Sequence, residues 1–171
     1  LAPPRTDQDN PAMKLKLLLL ILPVFTIAAC KIWSGVSNYA PPPCPPGSKA
    51  MGSPPPDGDE TWCEKIIDGK PVKNGPLVLW RDSGLKMMQG DYIDGKQNGE
   101  WTMWYDNGQK RSVDHYVHGV QQGEHTSWYA NGHIDAIGQY RDGKKVGTWK
   151  RWDAEGFRNW TETYKDGERV S

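Results

Sequence analysis

The sequence predicts an all-β protein: an antiparallel meander of repeated β-hairpins that forms an elongated single-layer sheet. Three observations carry this. First, the chain repeats itself every 24 residues. Trp80, Trp104, Trp128 and Trp152 form one column, and Tyr92, Tyr116, Tyr140 and Tyr164 a second. Three glycine columns keep the same register: Gly75, Gly99, Gly123 and Gly147; Gly84, Gly108, Gly132 and Gly156; Gly95, Gly119, Gly143 and Gly167. Self-similarity at a fixed period marks a repeat architecture. Second, each unit holds two turn signals separated by runs of strand length. Third, 19 Gly and 9 Trp against 2 Phe put the apolar surface on aromatics in turn-rich strands, which suits β structure.

Residues 1–12 carry no structural pattern and read as an extension upstream of a start at Met13. Residues 13–29 read as a signal peptide. Lys14 and Lys16 form a positive n-region, and Leu17 to Ala29 is an apolar run of 13 residues containing Pro23. A helix spanning a bilayer needs about 20 apolar residues. The segment ends in Ile27-Ala28-Ala29-Cys30, which resembles the bacterial lipobox. The resemblance implies cleavage before Cys30, a diacylglycerol on its sulfur, an acylated amino group, and therefore a lipid bilayer as partner. An ordinary cleavable signal with a chance cysteine is the alternative. Lys31 rather than Asp follows Cys30. In Gram-negative lipoproteins that implies the outer membrane of the cell envelope, facing the periplasm or the cell surface.

Residues 30–62 read as a Pro-rich linker with a stapled arm. Pro41, Pro42, Pro43, Pro45, Pro46, Pro54, Pro55 and Pro56 favour extended backbone that holds the repeats away from lipid. Recognition of the proline runs by an aromatic groove is the alternative. With Cys30 acylated, Cys44 and Cys63 remain as an even pair in an exported chain and predict a disulfide. No histidine precedes His115, so metal binding by these thiols lacks further ligands nearby. Neither thiol has a local basic partner to activate it.

Residues 63–171 form the repeat array. Its first unit is irregular, as expected of a cap. Asn107-Gly108 and Asn131-Gly132, with Ser83-Gly84 and Glu155-Gly156 as variants, are expected as two-residue turns with positive φ at both residues. Asp94-Gly95, Asp142-Gly143 and Asp166-Gly167, with His118-Gly119 as variant, mark the opposite turns. Alternation then places Trp101, Met103, Tyr105 and Tyr116 on one face and Trp104 on the other. Trp80, Trp104, Trp128 and Trp152 are assigned to structural stacking, with Gly108 and Gly132 as structural turn residues. Leu77, Trp101, His125 and Trp149 form a column on the opposite face, beside the tyrosines. Gly90 and Gly138 leave room there for a neighbouring ring.

The stretches GDYIDGKQNGEWTMWYDNGQK and GQYRDGKKVGTWKRW resemble the MORN-variant repeats of bacterial lipoproteins and of proteins often labelled antitoxins of toxin–antitoxin systems. The resemblance covers roughly residues 63–169. It implies the repeat fold; the same repeat occurs in proteins of different roles. The middle unit departs from the pattern: His118 replaces Asp, His125 replaces the equivalent of Trp101, and Asp114 stands where Gly90 and Gly138 sit.

Those departures gather His115, His118, His125 and His133 in one unit. His125 and His133 fall on opposite faces, so four convergent metal ligands are not evident. The aspartates recur every two strands, about 10 Å at about 4.8 Å per strand, too far apart to share a calcium ion. Turn chemistry accounts for them. No Ser/His/Asp order, phosphate-cradling loop or paired carboxylate motif stands out. Formal net charge is zero, which gives no field for nucleic acid. The expectation is a non-enzymatic module without cofactor or metal. It would bind or scaffold an envelope protein through an exposed aromatic face, with Trp101, Tyr116, Tyr140 and Trp149 as the binding candidates. An antitoxin or immunity-type partner of a toxin is the alternative, and a purely structural envelope protein the third reading. The expected anchoring is directly testable. The intact chain should partition with membranes and incorporate palmitate, and Cys30→Ser should do neither; palmitate uptake that survives the substitution rules the anchor out.

Overall fold

The computed structural model describes residues 43–171. The upstream extension, the signal peptide, Cys30 and the linker as far as residue 42 lie outside the described residues. Eleven strands follow in order: β1 (Lys49–Ser53), β2 (Glu60–Ile67), β3 (Lys70–Trp80), β4 (Lys86–Ile93), β5 (Lys96–Trp104), β6 (Lys110–Val117), β7 (Val120–Trp128), β8 (Ile134–Arg141), β9 (Lys144–Trp152), β10 (Asn159–Lys165) and β11 (Glu168–Arg169). They form one open antiparallel sheet in which every strand lies beside its sequence neighbours. No helix occurs among the described residues.

The two-residue form expected of the Asn-Gly turns is found at the Asp-Gly family instead. Two-residue turns with positive φ at both positions occur at Asp94-Gly95 (φ 50° and 79°), His118-Gly119, Asp142-Gly143 and Asp166-Gly167. Ile93 pairs directly with Lys96, and Val117 with Val120. Asn107-Gly108 is instead part of a three-residue loop, Asp106-Asn107-Gly108. Tyr105 donates its N–H to the Gln109 carbonyl at 2.8 Å, and Gly108 donates to the Tyr105 carbonyl at 3.0 Å. Only Gly108 is left-handed there, at φ 83°. The extra loop residue is absorbed by a bulge: Met103 pairs with Ser112, but Trp104 with Lys110. The register beyond the bulge is therefore the one a two-residue turn would give, and Tyr116, opposite Gly99, still shares a face with Trp101.

Asn107 serves the next unit. Its Nδ2 donates to the Ala130 carbonyl at 2.6 Å, while its Oδ1 accepts from the Gln109 N–H at 3.1 Å. Asn131 repeats this with Ala154 at 2.6 Å and His133 at 3.0 Å. Tyr105 and Tyr129 donate their hydroxyls to the carbonyls of Trp128 and Trp152, both at 2.8 Å. At the opposite edge, Gly95, Gly119, Gly143 and Gly167 donate N–H to the carbonyls of Lys73, Gln97, Gln121 and Lys145 at 2.8–3.0 Å. Each unit is thus latched to its neighbour along both edges, the nearest-neighbour coupling of a repeat stack.

The remaining glycine column makes a second bulge. Gln89 pairs with Thr102 but Asp91 with Asn98, so β5 carries two extra residues opposite Gly90. The same shift occurs in β7 and β9. An even excess keeps each side chain on its original face. Gly99, at φ 79°, supplies the left-handed residue the bulge requires.

The sheet starts earlier than residue 63. The expected linker contributes β1, which pairs with β2 from Lys49↔Glu64 to Ser53↔Glu60. Cys44 and Cys63 form a disulfide with Cα atoms 5.5 Å apart, closing a separation of 19 residues. In the chain-entropy account such a loop contributes about 3 kcal/mol. The arm packs onto the sheet: the space a Cβ would need at Gly75 is taken by Pro45.

Gly90 and Gly138 have ordinary φ, yet a Cβ at either would run into the indole of Trp101 or Trp149 respectively. Gly90→Ala and Gly138→Ala should each destabilise the fold by about 1–3 kcal/mol, since a rigid ring must move. Urea unfolding of the two variants measures this; wild-type midpoints in both would show that the rings yield freely.

Candidate functional site

The centre of the sheet is one transverse row. Leu77 faces Gly90, Trp101 faces Asp114, Asp114 faces His125, His125 faces Gly138, and Trp149 faces Glu162. The bulges carry Trp101 over Gly90 and Trp149 over Gly138. Tyrosines flank the row edge-on. Tyr92 and Tyr116 meet Trp101 at 5.2 and 6.2 Å between ring centroids, and Tyr140 and Tyr164 meet Trp149 at 5.2 and 6.0 Å. Such edge-to-face contacts add about 0.5–1.5 kcal/mol beyond burial. The Lys145 ammonium lies 4.2 Å from the Trp149 centroid and 5.0 Å from that of Tyr164.

This geometry reverses part of the expected assignment. Trp101 and Trp149 are 2% exposed and belong to the core of a sheet that, among the described residues, has no second layer. They are not an open platform. With glycine beneath it, an indole approaches the backbone closely, and the tyrosines close its sides. Tyr116 and Tyr140 are half-buried walls of the same row. In the column assigned to structural stacking, Trp80 is buried, but Trp104, Trp128 and Trp152 are only half-buried. Ile134 pairs with Trp128, and Ile137 lies on the same face between Thr126 and Lys150. Both isoleucines are exposed. The accessible aromatic stripe therefore runs on the face opposite to the one expected.

The middle unit replaces an indole on glycine with an imidazole on a carboxylate. Asp114, 7% exposed, accepts from Gln121 Nε2 and from His125 Nδ1, each at 2.6 Å. His125 stacks on Trp149 at 5.3 Å, with 29° between the ring planes, and meets Tyr140 edge-on at 5.8 Å. Burial pushes the Asp114 carboxyl upward. Its hydrogen bond and charge interaction with His125, with further hydrogen bonds from Ser112 and Gln121, outweigh this and hold it below the ordinary value. Burial, helped by the Asp114 charge, pushes the Tyr116 and Tyr140 hydroxyls up. The cluster is a satisfied polar plug in an aromatic row.

The other histidines are scattered. His115 Nδ1 lies 3.2 Å from the Glu124 carbonyl, His133 Nδ1 lies 2.9 Å from that of Ala154, and His118 occupies a turn at φ 49°. Among the described residues, no group of three or more His, Cys, Asp or Glu is placed to hold a metal ion. The sequence shows the departures at positions 114 and 125, but reading them singly hides their pairing. The recoverable signal is that both columns change in the same unit: once the glycine is lost, no indole fits above it.

Two segments, 97–118 and 121–142, match the family model described as MORN repeat variant. Each covers an odd-numbered strand, its three-residue loop and the next strand, so the matched unit is one hairpin of the sheet. The flanking units carry the same columns. No curated protein matches the chain. An all-β array of such repeats is the architecture of a repeat-based binding or scaffolding module.

The Asp114 cluster has a definite pH signature. Its folded-state pKa is depressed, so its contribution is fully present above the unfolded value of about 3.9 and lost as pH falls through the folded value. Asp114→Ala strands the Gln121 and His125 donors and should cost about 1–3 kcal/mol near neutrality. In thermal melts the gap between wild type and variant should narrow on acidification below the carboxylate range; a gap constant down to the lowest pH would refute the linkage.

Proposed function

We propose that this chain is a lipid-anchored envelope module that holds a partner protein on the open face of its repeat sheet, without catalysis. One observation carries the reading: Trp104, Trp128 and Trp152 are half-buried, recur once per unit and are bordered by exposed Ile134 and Ile137. A rigid aromatic stripe of this kind offers large contact area at little entropic cost. The stripe lies on the face opposite to the buried row of Trp101 and Trp149. The lipobox-like end at Cys30 and the proline-rich segment after it support attachment to a membrane surface.

The faces separate by mutation. Trp101→Ala removes a core ring and should cost about 3–5 kcal/mol. Trp104→Ala with Trp128→Ala should leave the circular dichroism spectrum native and abolish partner capture from envelope extracts by the purified full-length chain. The full-length chain is needed because a fragment beginning at Cys63 would lack β1 and the disulfide partner Cys44. Undiminished capture by a natively folded double variant overturns this assignment. A captured toxin would select the antitoxin or immunity reading of the same surface.

A further inference from the structure

Two depressions in the middle of the sheet are copies of one another, one repeat apart. The first, of about 530 Å³, is lined by Gly75, Asp91 and Ile93, with Gly99 of the next unit. The second, of about 490 Å³, is lined by Gly99, His115 and Val117, with Gly123 of the next unit. Each of these residues in the second stands 24 places after its counterpart in the first. The two differ in what borders them. Pro43 and Pro45 of the arm line the first, whereas among the described residues no proline lines the second.

Pro45 shows what chemistry the glycine column accepts. Its ring takes the space a Cβ would need at Gly75. A proline suits such a seat: its ring is apolar and rigid, and its nitrogen brings no N–H to lie unpaired against the sheet. Gly99 and Gly123 are exposed. Among the described residues nothing lies within 4 Å of the same position at Gly99, and at Gly123 the nearest atom is the His115 Cβ at 3.8 Å. Ile93 and Val117, 44% and 50% exposed, supply apolar walls. The spacing fits as well. Successive units lie about 10 Å apart, two strands at about 4.8 Å. A polyproline II segment has three residues per turn and rises about 3.1 Å per residue, so every third residue returns to one side about 9 Å further on.

We propose that the glycine seats at Gly99 and Gly123 receive a proline-rich segment of a partner protein in the polyproline II conformation, with prolines three residues apart on the two glycines. Recognition then repeats between molecules the contact that Pro45 makes with Gly75 within the chain. The tryptophan stripe is built from other residues, and neither reading needs the other.

The probe is a fluorescent peptide with the sequence of residues 40–46, serine replacing the cysteine, titrated into the full-length chain and followed by anisotropy. Saturable binding is expected, and none by the same peptide with alanine at every proline. Val117→Arg should weaken binding by about tenfold or more. Arginine suits the fold at that place, because Arg141 holds the equivalent position one unit later. Gly99→Asn fills the shared seat with a residue that tolerates the left-handed backbone there, φ 79°, and should act in the same direction. Circular dichroism checks both variants. If either unfolds, a benzophenone-bearing peptide on wild type still locates the site, with cross-links expected at residues 98–99 and 115–124. Absence of saturable binding, equal binding of the alanine peptide, undiminished binding by folded Val117→Arg, or cross-links elsewhere overturns the proposal. So does a cross-link from position 117 to residues 31–42 of the same chain, or self-association that excludes the peptide, since these assign the depressions to the chain's own linker or to a second copy.

Discussion

A single sheet must bury its large rings without a second layer to bury them against. Here the indoles of Trp101 and Trp149 lie on the sheet's own backbone, over Gly90 and Gly138, with tyrosines closing the sides. Almost everything else follows from that contact. The bulge at the Gly99 column brings the indole-bearing strand over its neighbour. The Tyr column supplies edges at the right spacing. Burying an indole this way removes a large apolar area from water at the cost of one side chain per unit, the glycine.

The exception at Asp114 and His125 obeys the same geometric constraint by different chemistry. With a carboxylate in the glycine position the indole is excluded, and a smaller ring able to donate a hydrogen bond takes its place. A buried carboxylate is costly unless its oxygens are satisfied. Gln121 and His125 satisfy this one, and the imidazole continues the row by stacking on Trp149. The unit keeps its registry with both neighbours although its core is polar.

The opposite face is closed at one end, where Val78, Trp80 and Thr102 are buried, and opens further along, where Trp104, Trp128 and Trp152 are half-buried. Its half-buried tryptophans are held in place by the sheet but not enclosed by it. Stabilisation is passed from neighbour to neighbour along the stack.

The sequence by itself determined the architecture: five columns at one spacing require a stack of equivalent hairpins. The ring-admitting role of Gly90 and Gly138 also follows from residue type and period, whereas the pairing of Cys44 with Cys63 follows only once Cys30 is set aside as the lipidation site. The tertiary structure decided the rest. Asn-Gly reads as a two-residue turn, but Asn107 and Asn131 are held by carbonyls of the next unit, 23 residues away. No local signal contains that partner. Which indoles are buried was likewise undecidable from alternation, which separates two faces without saying which one is closed. Closure comes from a bulge that lays one strand's ring over its neighbour's glycine, and only the assembled sheet brings those two atoms into contact.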